Sequence, residues 1–288
     1  RPGLRVSRRH FADLFRFGVN VLGSNLLYYV NSRADNLIIG YALGPTALGF
    51  YDVAYKLYTN GVNVITLTVS SVAFSTFSRL QKERDRMRQG FRTATQTVSV
   101  IAFPMFVGTA VVAPDLIGML FGDKWVPLSA YVYQLLAMNG ALQAVMYFNA
   151  PVIMACGKPQ WRLGISLANA VLNVILFTWA VQWGIVAVAA AFVARGYLIA
   201  PVQLALVRSL IDLRTKAYLQ QFVTPLAASI VLGAMLWGGV HVLLPPLGRV
   251  LAVLLAGAVA LGGYIGTLFV INRTLFHNLI RLMQSLRT

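Results

Sequence analysis

Acidic residues are scarce in this chain, with 8 Asp and Glu among 288 residues. Three of them, Glu83, Asp85 and Asp212, fall in basic loops, so the sequence offers no convincing carboxylate pair for acid and base catalysis. One cysteine, Cys156, excludes an internal disulfide, and the three separated histidines lack metal-ligand spacing. No GxxxxGK[ST] phosphate loop occurs either. We therefore expect no enzyme, no catalytic residue, no metal and no cofactor.

Charged residues of both signs make up only 11% of the chain, against about 25% in soluble domains, while 58% are hydrophobic. This composition is typical of an integral membrane protein. A net charge of +16 would favour nucleic acid in a soluble chain, but the basic residues here lie in short gaps between apolar runs. We predict an all-α membrane protein with no nucleic-acid partner.

The hydrophobic runs predict eight transmembrane helices. A bilayer core of about 30 Å needs about 20 apolar residues per helix, and longer runs can tilt. Gly and Pro at the hydropathy breaks indicate where these helices end, and Pro104, Pro151 and Pro201 should kink the helices that contain them. The predicted segments are residues 15–42, 46–78, 92–121, 126–155, 160–182, 184–207, 219–244 and 248–271.

Lys and Arg are distributed asymmetrically between the two predicted faces. Nineteen lie in the terminal regions and the loops of one face, and only Lys124 and Arg249 lie on the other. By the positive-inside rule, both termini should be cytoplasmic, which requires an even number of spans. The three remaining basic residues, Arg33, Lys56 and Arg195, fall inside predicted spans and need a separate explanation.

Two of the four charges near the first predicted turn have a simple local explanation. Asp52 and Lys56 are four positions apart and so share a helical face, where an ion pair can offset desolvation. Arg33 and Asp35 are two positions apart and point in different directions. The short connector LGPTALG predicts an antiparallel hairpin that brings one of them toward Asp52 and Lys56. Whether these charges are structural or functional stays open at this level.

Arg195 lies near mid-membrane with no acidic residue within one helical turn. Exposure to lipid would cost about 2.5 to 3.5 kcal/mol, so it should face protein or a cavity. A cationic interior suits an anionic, phosphate-bearing cargo. Polar residues along other spans, each individually explained by a hydrogen bond between helices, together indicate a wet interior surface. They are Gln96, Asn139, Gln143, Asn149, Asn169 and Asn173.

A longer sequence pattern resembles a known family. The run RADNLIIGYALGPTALGFYDVAYKLY, followed by FSRLQKER and the later LFGDKW, resembles the bacterial Wzx-type polysaccharide flippases. Their superfamily also contains multidrug exporters and the lipid II flippase. Phe50 stands where that family usually has Tyr, and Phe74-Ser75 replaces its common Phe-Pro. The similarity extends over most of the chain from about Phe15 onward.

This resemblance implies a two-lobe exporter fold of twelve to fourteen spans, of which the present chain matches the part from the seventh span onward. Position 1 is Arg rather than Met, so we expect a C-terminal fragment that lacks the N-terminal lobe. The expected organisation is a basic cytoplasmic lead (1–14), a six-helix lobe lining half of a central cavity (15–210), two additional transmembrane helices (211–272) and an interfacial amphipathic cytoplasmic tail (273–288).

The function implied by the resemblance is movement of a polyprenyl-diphosphate-linked oligosaccharide across the bacterial inner membrane. The alternatives are a small-molecule exporter of the same superfamily, a glycan polymerase and a non-transporting scaffold. Expected partners are the glycolipid, membrane lipids, the N-terminal lobe, and the polymerase and export machinery. The substrate-contact candidates are Arg33, Lys56, Arg195, Asn169 and Asn173, and the charge-pairing or ion-coupling candidates are Asp35 and Asp52.

Overall fold

The described part of the chain is helical and contains no β-strand. A computed structural model describes residues 8–80 and 83–271, with side chains for 32–66, 77–80, 83–243 and 248–271. The predicted all-α fold is confirmed. The α-helices in these residues are α1 (Arg8–Arg79), α2 (Arg84–Val111), α3 (Ala113–Phe121), α4 (Leu128–Met146), α5 (Asn149–Ala155), α6 (Pro159–Ala180), α7 (Ile185–Ile211), α8 (Thr215–Gln220) and α9 (Val223–Ile271).

Helix α1 reverses direction at Gly44, within the LGPTALG connector. Gly44 has φ 82°, a left-handed value that favours glycine, and Pro45 follows it. The Tyr55 hydroxyl donates to the Ser32 carbonyl at 3.3 Å, although 23 positions separate them. In a straight helix these positions would lie about 35 Å apart. The predicted antiparallel hairpin is therefore confirmed.

Helix α9 forms a second hairpin, with its turn at Gly248 (φ 75°). Glycines let its two arms approach closely. A Cβ built on Gly239 would lie 2.9 Å from Ala256 Cβ, and one built on Gly263 would lie 2.2 Å from Met235 Sδ. The predicted segments 219–244 and 248–271 correspond to these two arms.

Two predicted segments are interrupted, and prolines account for both breaks. Segment 92–121 divides at Val112, because Pro114 has no N–H to donate to the Ala110 carbonyl. Segment 126–155 divides between α4 and α5, where Pro151 cannot donate to the Tyr147 carbonyl. By contrast, α2 and α7 continue past Pro104 and Pro201.

Six helical segments in the described residues are long and apolar enough to cross a membrane. The predicted number of eight is not confirmed by that criterion. In this count, the segment of α1 around the Gly44 turn is a single span, although its two arms were predicted as two. The 19-residue helix α4 is not among the six spans. The six segments are Ser32–Thr66, Arg84–Val111, Pro159–Trp183, Ile185–Ile211, Thr215–Leu243 and Gly248–Ile271.

Two hydrophobic clusters hold these helices together. The larger one joins α1 and α2 to the helices α4, α5, α6 and α7. Its fully buried side chains include Tyr51, Phe91, Phe106 and Phe177. The smaller one lies between α2 and the two arms of α9, around residues such as Leu232. Helix α2 contributes to both clusters and so forms the wall between them.

Contacts between loops identify the two ends of the helix bundle. At one end, the ring of Phe50, just after the Gly44 turn, lies 5.1 Å from that of Trp125, and Arg249 Nη1 lies 2.6 Å from Asp123 Oδ1. At the opposite end, Arg88 Nη1 donates to the Asp212 carbonyl at 3.2 Å. The first end carries the two predicted outward cations, Lys124 and Arg249, so the loops group as the charge asymmetry predicts.

The ends of the chain lie largely beyond this description. The predicted amphipathic tail, 273–288, lies outside the described residues, as do residues 1–7 of the predicted basic lead. Residues 8–14 of that lead already belong to α1, which begins at Arg8 rather than at position 15. The division of the chain at residue 210 into a lobe and two additional helices stays a prediction.

The orientation of the chain can be tested by cysteine labelling. With Cys156 replaced by Ala, Lys124→Cys and Trp183→Cys should react with a membrane-impermeant maleimide added to intact cells. Lys158→Cys and Arg214→Cys should react only after the membrane is permeabilised, because the positive-inside rule places their loops in the cytoplasm. Labelling is read by gel shift, and the reverse pattern would overturn the predicted orientation.

A tight helix contact gives a stability prediction. A Cβ at Gly140 would lie 2.3 Å from Phe106 Cε1, whereas nothing lies within 4 Å of one at Gly164. We expect Gly140→Ala to lower the free energy of unfolding by about 1 to 3 kcal/mol through overpacking. Gly164→Ala is the matched control. Thermal unfolding in detergent measures both, and equal stabilities would contradict this packing.

Candidate functional site

A polar cavity in the described residues lies between α4, α5, α6 and α7, with one residue from α1. Its volume is about 1020 Å³. Both charged residues in its lining, Arg162 and Arg195, are basic, so the cavity favours anions. The lining comprises Ser32, Asn139, Leu142, Gln143, Met146, Tyr147, Ala150, Pro151, Met154, Pro159, Arg162, Leu163, Ser166, Asn169, Arg195, Gly196, Ile199, Ala200 and Gln203.

One wall of this cavity is built from two polar helical stripes. On α6, Arg162, Ser166 and Asn169 recur at spacings of four and three residues and so share a face. On α7, Arg195 and Gln203 are eight positions apart on one face. Of the residues on which the predicted wet surface rested, Asn139, Gln143 and Asn169 line this cavity, and the others do not.

Arg195 is held in place by two contacts. Its Nη1 donates to Asn173 Oδ1 at 2.9 Å, and its guanidinium carbon lies 4.6 Å from the centre of the Phe192 ring. A hydrogen bond and a cation–π contact together fix the guanidinium at the inner end of the cavity. The buried Nε has no hydrogen-bond partner among the described residues. Arg195 therefore presents a positive charge whose position is fixed by its neighbours.

The two asparagines predicted as substrate contacts have different positions. Asn169 lines the cavity, and its Nδ2 donates to the Ile165 carbonyl at 2.9 Å. Asn173 is fully buried and is not part of the lining. The structure therefore corrects the predicted placement of Asn173: its Oδ1 accepts from Arg195, which makes it a residue that positions another side chain.

A hydrogen-bonded cluster from α1 and α4 forms another part of the cavity wall. Asn139 Nδ2 donates to the Tyr58 hydroxyl at 2.9 Å, and that hydroxyl donates in turn to Gln143 Oε1. A Cβ built on Gly196 would lie 2.1 Å from Asn139 Oδ1, so α7 approaches this cluster only because position 196 is glycine. The wall is therefore both polar and tightly packed.

Asp35 is 2% exposed and lies behind this wall, in the α1 hairpin. Its Oδ2 accepts from the Tyr51 hydroxyl at 2.7 Å, and its Oδ1 accepts from the Asn36 N–H at 2.9 Å. The sequence predicted that the hairpin brings Arg33 or Asp35 toward Asp52 and Lys56, whereas the partner of Asp35 in the structure is the phenol of Tyr51. A carboxylate kept in the interior by two hydrogen bonds has its polarity satisfied without an ion pair.

The other predicted charges lie away from the cavity. Lys56 Nζ pairs with Asp52 Oδ2 at 2.8 Å, which confirms the predicted ion pair. The Lys56 side chain is 63% exposed, however, and Arg33 is also exposed. Neither residue belongs to the lining of this cavity. Their role in substrate contact stays a prediction.

Sequence reasoning did not select Arg162, Ser166 or Gln203 as site residues. Arg162 was counted with the cytoplasmic loops, but α6 begins at Pro159 and places it on the helix. The available signal was the spacing of 162, 166, 169 and 173, which repeats one helical face over three turns. On α7, Gln203 follows Arg195 by eight positions, which is also a repeat of polar residues on one helical face.

The helical fold and its apolar spans define an all-α, multi-pass membrane protein. A solved structure titled lipid II flippase MurJ, inward closed conformation, superposes with a TM-score of 0.78. The superposition covers 95% of the present chain and 57% of the MurJ chain, at 13% sequence identity. At that identity the likeness shows the fold alone.

Residues 1–130 match the family described as polysaccharide biosynthesis protein. The chain is 30% identical over 247 residues to the teichuronic acid biosynthesis protein TuaB of Bacillus subtilis, covering 82% of this chain and 49% of TuaB. It is 28% identical over 199 residues to the lipopolysaccharide biosynthesis protein WzxC of Escherichia coli, covering 69% and 39%. These matches confirm the predicted resemblance to the polysaccharide flippase family. The chain spans about half or less of the length of these relatives.

The Tyr51–Asp35 contact gives a second stability prediction. Tyr51→Phe removes the donor to Asp35 Oδ2 and leaves a buried carboxylate oxygen unpaired. We expect the free energy of unfolding to fall by about 1 to 3 kcal/mol. Tyr41→Phe is the matched control, because Tyr41 is 96% exposed and loses no buried hydrogen bond. Thermal unfolding in detergent compares them, and an unchanged Tyr51→Phe midpoint would show that this contact contributes nothing.

Proposed function

We propose that this chain acts in the transfer of a polyprenyl-diphosphate-linked oligosaccharide from the cytoplasmic to the periplasmic leaflet of the bacterial inner membrane. The observation that carries the proposal is the cavity between α4 and α7, whose two charged lining residues are the arginines Arg162 and Arg195. Arginine binds phosphate and carboxylate through paired donors, and amide side chains suit sugar hydroxyls. The activity is transport, with no covalent chemistry.

The pathways named for the relatives support a polysaccharide cargo. TuaB is a teichuronic acid biosynthesis protein, WzxC a lipopolysaccharide biosynthesis protein, and ExoT of Rhizobium meliloti a succinoglycan biosynthesis transport protein. A small-molecule exporter of the same superfamily is the alternative, and these names favour the polysaccharide branch. A glycan polymerase is less well supported, since the described connectors at the predicted periplasmic end, such as 122–127 and 181–184, are short.

The proposed partners follow from the same reading. Membrane lipids surround the exposed apolar faces of the described helices, and an N-terminal lobe would complete the cavity. The polysaccharide polymerase and export machinery would act on the delivered glycan. Both termini of this chain are proposed to be cytoplasmic.

The proposed roles of the predicted site residues differ in their structural support. Arg195 and Asn169 line the cavity and are proposed to contact the cargo, while Asn173 holds Arg195. Asp35 is a buried carboxylate close to this site and is proposed to take part in ion coupling. Asp52 is proposed to act in charge pairing, in its contact with Lys56.

Substitution of Arg195 in the encoding gene tests this function. We expect Arg195→Ala to reach the membrane at normal levels and to reduce surface polysaccharide at least tenfold, because the cargo loses a charged hydrogen-bond donor. Immunoblotting measures membrane insertion, and glycan staining of whole cells measures export.

Arg208→Ala is the matched control for this experiment. Arg208 lies on the same helix, is exposed and does not line the cavity. Export should stay normal in this variant. Normal export by Arg195→Ala at normal protein levels would refute the proposed role of the cavity.

A further inference from the structure

The two cavity arginines are far apart along the helix axis. The guanidinium of Arg195 is bound to Asn173, which fixes its level on α6. Arg162 lies eleven positions before Asn173 (173 − 162 = 11) on the same stripe, so about 16 Å of helical rise separates the two levels. Helical side chains lean toward the N-terminus, which carries the Arg162 side chain further from Arg195.

This separation exceeds the size of one diphosphate group. The two phosphorus atoms of a diphosphate share a single bridging oxygen, so one such group cannot contact both arginines. A cargo that occupies both levels needs two anionic groups at a distance from each other. The part of the cavity between the arginines therefore has to accommodate a neutral polar segment.

The side chains between the two arginines suit such a segment. Ser166 and Asn169 line this part of the cavity on α6, and Gln203 lines it on α7. The Asn169 amide group donates to the Ile165 carbonyl, which leaves its oxygen as an acceptor. Hydroxyl and amide groups without charge match the alternating donors and acceptors of sugar hydroxyls.

The depth of each arginine assigns its anionic group. Arg162 is three positions after the start of α6 at Pro159, at the level of the lipid head groups. An isoprenoid chain lies within the leaflet, so its diphosphate is held at the same level. Arg195 is ten positions inside α7, which begins at Ile185, and lies near mid-membrane. Only the glycan end of the cargo reaches that depth.

We propose that this cavity, on the basis of the flippase function above, recognises its cargo at two separate anionic groups. Arg162 binds the diphosphate, and Arg195 binds an acidic sugar further along the glycan. The cargo class is therefore an acidic oligosaccharide on a polyprenyl diphosphate, and Arg162 and Arg195 determine different parts of the specificity.

Binding measurements with two simple probes test this assignment. The whole chain is reconstituted in lipid nanodiscs, and affinities for farnesyl diphosphate and for trigalacturonic acid are measured by isothermal titration calorimetry. Arg162→Gln should weaken farnesyl diphosphate binding about tenfold or more and leave trigalacturonic acid unchanged, because a charged hydrogen bond is lost. Arg195→Gln should show the opposite pattern. The neutral, carboxyl-reduced trisaccharide should bind the unsubstituted chain at least tenfold more weakly than the acid.

A competition measurement on the unsubstituted chain needs no variant and gives an independent test. Saturating farnesyl diphosphate should leave the affinity for trigalacturonic acid unchanged, because the two probes occupy different ends of the cavity. Competition between them would overturn the two-site assignment. Circular dichroism and gel filtration verify that each variant is folded.

The remaining outcomes separate this inference from the proposed function. If both probes depend on the same arginine, or if acidic and neutral trisaccharides bind equally, the two-site assignment is wrong while binding of an anionic lipid head group stands. If neither probe binds the unsubstituted chain, or if the control Arg208→Gln causes the same losses, the proposed function fails together with it.

Discussion

A charge placed among apolar helices has to be compensated, and much of this architecture follows from how Arg195 meets that requirement. Its guanidinium rests on the Phe192 ring and donates to Asn173 on the neighbouring helix. The Asn173 contact favours one register of α7 against α6, because sliding either helix by one turn would separate the partners. The same register aligns the two polar stripes that line the cavity. The Arg195–Asn173 contact thus joins these two helices beside the polar space between them.

Interactions within one helix or one turn could be predicted from the sequence, and interactions between distant segments could not. The Asp52–Lys56 pair follows from a spacing of four, and the turn at Gly44 follows from a glycine and a proline in a short connector. The partner of Asp35 depends on which face of the hairpin turns inward. A tyrosine in an apolar run carries no signal that its hydroxyl will satisfy a carboxylate.

The residues of the cavity, too, could be predicted only in part from the sequence. Asn169 and Arg195 were identified because a polar or charged residue within an apolar span requires an explanation. Arg162 did not stand out, because it lies where a predicted loop ends and a helix starts, and arginine is common in both. The helical spacing that links it to Asn173 becomes informative only after the boundary of α6 is known. Arg33 and Lys56 stood out by the same reasoning as Arg195, but both side chains are exposed and lie outside this lining.

Helix α2 forms the wall between the two hydrophobic clusters, so it contacts both the α9 hairpin and the helices around the cavity. On one side Gly108 receives Leu232 of α9, with a Cβ-to-side-chain distance of 3.3 Å. On the other side Phe106 fills the notch at Gly140, adjacent to Asn139 on the cavity wall. Close-packed interiors transmit displacement rather than absorb it. A displacement of the α9 hairpin against Gly108 is therefore passed through α2 to the Phe106–Gly140 contact beside the cavity wall.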